Sequence, residues 1–123
     1  LAPGEQSDFL FSTLADDPDL GELADEFADE MPNKIDAILS AHRKGNLELL
    51  TRLVHQLKGS AGSYGFSIIT PVAARLEASL VSAAEHPFVL NRLEELANVC
   101  NRVRSKVKYR MSASESVDKA SAR

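Results

Sequence analysis

Apolar residues recur at steps of three and four along most of this chain, and no stretch alternates apolar with polar over the length of a strand. The pattern predicts helices throughout, in four long blocks separated by turn signals. A short opening piece, SDFLFSTLADD, offers a turn or two of helix carrying Phe9, Leu10, Phe11 and Leu14 over one end of the core. Asp17 followed by Pro18 reads as an N-cap with proline in the first helical position, where its missing N–H is harmless. The first long helix presents Leu20, Leu23, Phe27, Met31, Ile35 and Ile38, with Pro32 expected to bend it or split it. Lys-Gly-Asn at 44–46 predicts a reversal, with Gly45 left-handed and Asn46 capping a second helix built on Leu50, Leu53, Val54, Leu57 and Ala61. A third helix starts between Ser67 and Pro71 and carries Ile69, Ala73, Leu76 and Leu80. His86 as N-cap and Pro87 open the last, whose seam is Val89, Leu93, Leu96, Cys100, Val103 and Val107.

Long amphipathic helices joined by short turns predict an all-α, up-down-up-down antiparallel four-helix bundle with a short extra N-terminal helix. The expected domain spans 1–110 with its core in 17–108. Residues 111–123, rich in serine and charge and without apolar period, read as a disordered tail. A bundle has no preferred function, so the remaining evidence must come from particular residues.

Composition narrows the setting. The 123 residues suit one domain, and a formal charge of -4 argues against a nucleic-acid partner. A lone Cys100 allows no internal disulfide, no Cys or His pair stands at zinc spacing, and no apolar run reaches a membrane span, so neither a metal, a cofactor nor a membrane contact is expected. A cytoplasmic location and a monomeric state are the corresponding expectations. Leu1 in place of methionine suggests a piece of a longer protein.

The chemistry concentrates in VHQLKGSAGSYGF, residues 54–66. Three glycines there each cost a helix interior about 1 kcal/mol relative to alanine. At about 100° per residue from Leu50, Val54, Leu57 and Ala61 stay within about 40° of the buried direction, whereas His55 falls at about 140°, Gly59 at about 180° and Gly62 at about 120°. Histidine and glycines therefore share the outward face, with Lys58 on its flank at about 80°. The run lacks the Gly-Lys-Ser/Thr ending of a nucleotide-binding loop, follows no strand, and contains no HExxH. Gly62 divides between access and close helix packing, Gly65 ends the helix, and Tyr64 and Phe66 read as packing. Arg52, Gln56 and Arg75 are rim positions, and His42 and His86 read as structural or surface histidines.

HQLKGSAGSYGF resembles the signature of the histidine-containing phosphotransfer (HPt) domain: a histidine followed three and four places on by lysine and glycine, with another glycine ten places on. FADEMPNKI upstream, the Gly-Asn reversal and Arg-Leu-Glu downstream extend the likeness over most of 17–107. The resemblance implies a four-helix bundle in which His55 accepts a phosphoryl group from a receiver-domain phosphoaspartate and relays it to another receiver. Lys58 would stabilise phosphoryl charge. Glu77 stands 22 residues after the histidine, where the family often has Glu or Gln to orient the imidazole, and a solvated surface role is its alternative. Gly59 and Gly62 would give the partner access, and Nε2 is the nitrogen the likeness favours. The implied protein is a phosphoryl carrier rather than an enzyme, with Mg2+ on the receiver and no cofactor of its own. It would stand free or form part of a hybrid sensor kinase. Two alternatives are an adaptor bundle that binds receiver-like partners without phosphotransfer, and the phosphoacceptor domain of a chemotaxis-type histidine kinase. Eight acidic residues from Asp16 to Glu30 face a predominantly basic run from Arg92 to Arg110, a charge pattern that suits solvated helix faces and partner steering.

Overall fold

The computed structural model describes residues 9–109, so the expected tail at 111–123 lies outside the described residues. Helix α1 spans Gly21–Arg43, α2 Leu47–Ser63, α3 Ile69–Val81 and α4 Val89–Cys100, with a 3-10 helix at Ala83–Phe88. Each α-helix packs on the next in the chain and α4 closes against α1, which makes a helical bundle. Among the described residues there is no strand, only an isolated parallel bridge between Leu10 and Val103, and no helix is long and apolar enough to cross a membrane.

The turn chemistry follows the sequence closely. Asp17 Oδ1 accepts from the backbone N–H groups of Asp19 and Leu20 at 2.8 and 2.9 Å, but this closes a turn at 18–20 rather than capping the helix: α1 starts at Gly21 with Leu20 at its N-cap, so Pro18 precedes the helix instead of opening it. Gly45 has φ +68°, and Asn46 Oδ1 accepts from Leu49 N at 3.1 Å to start α2. Pro32 does not split α1, which continues through it without the hydrogen bond that a residue there would give the Ala28 carbonyl.

Phe27, Met31, Ile35 and Ile38 from α1 meet Leu50, Val54, Leu57 and Ala61 from α2, Ile69, Ala73, Leu76 and Leu80 from α3, and Val89, Leu93, Leu96 and Cys100 from α4. Phe27 stacks on Tyr64 and Phe66 with ring centroids 5.1 and 5.8 Å apart. Burial pushes the Cys100 thiol up to about 12, so it packs as a small apolar side chain.

Four further expectations need correction. Residues 9–20 form turns and a bridge, not an N-terminal helix, because their backbone groups are taken by the bundle. Leu10 N donates to Arg102 O at 2.7 Å, Arg104 N to Leu10 O at 2.9 Å, and Thr13 N to Gly65 O at 3.0 Å. The same strap ends α4 at Cys100 by diverting the bonds that a longer helix would need, which leaves Val103 buried but Val107 exposed, with a helical turn only at 106–109. His86 and Pro87 lie inside the 3-10 helix rather than capping α4, and Leu20 and Leu23 are exposed, so the α1 core face begins at Ala24.

Candidate functional site

The buried row Leu50, Val54, Leu57 and Ala61 fixes the rotation of α2, and this turns His55 outward with its side chain 67% exposed. Helix α3 lies alongside, anchored by Leu76, which is fully buried. The residue after it, Glu77, thereby sits at the edge of the interface with a side chain 20% exposed, facing α2. His55 Nδ1 and Glu77 Oε2 are 2.6 Å apart, and Lys58 Nζ donates to Glu77 Oε1 at 2.6 Å. One carboxylate therefore holds both the imidazole and the ammonium.

The geometry determines proton positions. The Lys58 ammonium beside Glu77 is the main influence holding its carboxyl below the ordinary value of 4.5; partial burial opposes this and the His55 contact adds to it. An ionised carboxylate only accepts, so Nδ1 carries a proton toward it, and in the neutral imidazole the lone pair stands on Nε2. Among the described residues Nε2 has no hydrogen-bond partner. A depressed carboxyl pKa stabilises the fold above the unfolded value and stops doing so as pH falls through the folded one. Glu77→Gln should therefore melt below the wild type near neutral pH, and the gap should narrow once pH falls below 4.5 and vanish as it passes through the lowered value of the folded carboxyl. Thermal melts across pH check this; a gap that persists in acid would exclude the ionised carboxylate as its source.

The glycines separate cleanly. A Cβ on Gly59 would meet nothing within 4 Å, so the fold gains nothing from glycine there. One on Gly62 would touch only Thr70 Oγ1 at 3.4 Å, an ordinary contact, which weakens the packing explanation. Gly65 has φ +85°, and a Cβ would overlap the Ser12 hydroxyl and stand 2.9 Å from Thr13 N. Its use is structural.

Of the residues singled out from sequence, His55, Lys58, Glu77, Gly59 and Gly62 share one face of α2 and the adjoining edge of α3. Arg75 pairs instead with Glu95 on α4, and Gln56 lines a separate groove with Asn33 and Lys34. Sequence reasoning brought Lys58 to the imidazole, whereas its ammonium rests on Glu77. It also missed Thr70, whose hydroxyl donates to the Lys58 carbonyl at 3.1 Å and ties the start of α3 to the middle of α2. Threonine one residue into a helix gives no local sign of such a bond. Part of the acidic run is neutralised internally: Lys106 reaches Asp16 at 2.9 Å and Lys108 reaches Asp29 at 3.3 Å. Among the described residues no cluster of His, Cys, Asp and Glu is arranged to hold a metal ion.

No curated protein and no solved structure matches the chain. The family model of the Hpt domain matches residues 22–106, a span that contains all four α-helices but the first residue of α1, together with the whole His55, Lys58 and Glu77 constellation. With most of its length matched, the chain belongs to the Hpt domain family.

Proposed function

We propose that His55 is the phosphoacceptor of a phosphorelay carrier, taking a phosphoryl group from a receiver-domain phosphoaspartate and passing it to a second receiver. Hpt domains are phosphoryl carriers of histidine phosphotransfer. The observation that carries the residue assignment is the Nδ1 to Glu77 contact at 2.6 Å on a histidine two-thirds exposed, which leaves Nε2 as the outward nucleophile.

In the forward step the Nε2 lone pair attacks phosphorus, the N–P bond forms, and the P–O bond to the aspartyl group breaks with its electron pair leaving on the carboxylate. The ring then holds phosphoryl on Nε2 and a proton on Nδ1, and bears a positive charge that Glu77 stabilises. Reversal of the same step on another receiver returns the neutral imidazole. Such transfer asks chiefly for positioning and charge stabilisation. The metal ion and acidic cluster are the receiver's contribution in this reading.

Incubation with a phosphorylated receiver tests it. Label that is acid-labile and base-stable and maps by mass spectrometry to the peptide containing His55 supports transfer. A stable complex without label would instead indicate an adaptor and overturn the carrier reading. Gly59→Leu adds a test of access: helix propensity favours leucine by somewhat under 1 kcal/mol, so the melting point should hold or rise while transfer from the receiver falls at least tenfold. Undiminished transfer would remove Gly59 from the docking face.

A further inference from the structure

Beside the imidazole, α2 and α3 form a groove lined by Glu48, Thr51, Arg52, His55, Glu77 and Leu80 among others. Arg52 is exposed, and among the described residues its side chain makes no ion pair or hydrogen bond. It precedes His55 by three residues, so the two are neighbours on the helix surface with Cβ atoms roughly 5–6 Å apart. Side chains on a helix lean toward its N-terminus, which carries the imidazole over the turn that bears Arg52.

Lys58 lies on the other side and is already committed. Its ammonium donates to Glu77 at 2.6 Å and its side chain is 30% exposed, so much of its charge is spent on the carboxylate that orients the ring. A phosphoryl group on Nε2 would bring close to two negative charges at neutral pH. The cationic ring offsets only part of this once Glu77 has taken up Lys58. Glu48, one turn further toward the N-terminus and also in the groove, adds negative charge of its own. The remaining cation of the groove is Arg52, whose planar guanidinium can donate two parallel hydrogen bonds to phosphoryl oxygens.

We infer that Arg52 is a second phosphoryl-binding residue, which contacts the group on His55 Nε2 from the N-terminal side of the helix while Lys58 holds Glu77. This rests on His55 being the phosphoacceptor. Arg52 swings onto the phosphoryl oxygens as the N–P bond forms and holds the phosphorylated state after the receiver departs.

The test needs no receiver. Phosphoramidate serves as donor: its P–N bond breaks, ammonia leaves with the electron pair, and the N–P bond to Nε2 forms. The 31P titration of the phosphorylated protein then reports charge at the phosphoryl group itself. Relative to wild type, Arg52→Ala and Arg52→Gln should move its midpoint to higher pH by roughly half a unit or more, because a nearby cation favours the dianion, and Arg52→Lys should recover part of the difference. Thermal melting of all three should stay near wild type, since the side chain is exposed. Coincident 31P titrations in wild type, Arg52→Ala and Arg52→Gln would overturn the role of Arg52 and leave the carrier reading standing. Absence of phosphohistidine at residue 55 in the wild type would overturn the carrier reading and this inference with it.

Discussion

His55→Gln is expected to abolish phosphoryl acceptance from a receiver while leaving the fold in place. Glutamine approximates the imidazole in reach and can still hydrogen-bond Glu77, but its amide nitrogen has no basic lone pair with which to attack phosphorus. The side chain is 67% exposed and lies outside the core, so stability should change by no more than about 1 kcal/mol. The two readouts separate chemistry from folding: label transferred from the receiver should fall to background, and the thermal midpoint should shift by only a few degrees. Label persisting at the wild-type rate would mean that another nucleophile carries it, and the assignment of His55 would fail. His42 and His86 then become the residues to examine, since they are the other two histidines of the chain.

The second large effect concerns stability. Gly65→Val is expected to cost about 3 kcal/mol, from two sources that act together. A φ of +85° is a left-handed conformation that a β-branched residue adopts only at a cost of about 1–2 kcal/mol. Its Cβ would also overlap the Ser12 hydroxyl and crowd Thr13 N at 2.9 Å, where overpacking adds a further 1–3 kcal/mol or so. The clash falls on the strap, in which Ser12 Oγ donates to the Tyr64 carbonyl at 2.5 Å and Thr13 N to the Gly65 carbonyl. A drop in melting temperature of about 10 °C or more follows from the size of the domain. Gly65→Ala should lose less, and Ser12→Gly combined with Gly65→Ala should recover part of that loss, because removing the hydroxyl relieves the overlap but not the dihedral strain. A valine variant that melts with the wild type would show that the strap yields at no cost.

These two substitutions sit ten residues apart in one motif and act through different physics. The glycines of VHQLKGSAGSYGF therefore do not form one class. Gly59 has open space where a Cβ would stand, Gly62 has only a light contact with Thr70, and Gly65 turns the chain where another segment presses against it. The electrostatic arrangement is equally divided: Lys58 donates to the carboxylate that also contacts the ring, and Arg52 lines the groove on the other side of His55.

Local signals carried much of this protein without tertiary information. The helical period, the Asp17 turn, the Asn46 cap, the left-handed Gly45 and the outward rotation of His55 all depend on residues within a turn or two of one another, so they can be read directly from the order of side chains. Spacing likewise brought Glu77 to the edge of the α3 core face beside Leu76. What it could not contain was the competition between distant partners. Whether 9–20 becomes helix, and whether α4 runs to Val107, depends on Leu10 taking the backbone groups of Arg102 and Arg104, more than ninety residues away. Lys58 likewise chooses Glu77 over the imidazole because packing of α3 on α2 brings a carboxylate within 2.6 Å, where an ion pair outweighs any contact of the ammonium with the ring. The sequence alone determined which groups were available and which way each helix must face. Tertiary structure alone decided which of those groups satisfied one another, because hydrogen-bond donors and charges settle on the partners that packing brings closest.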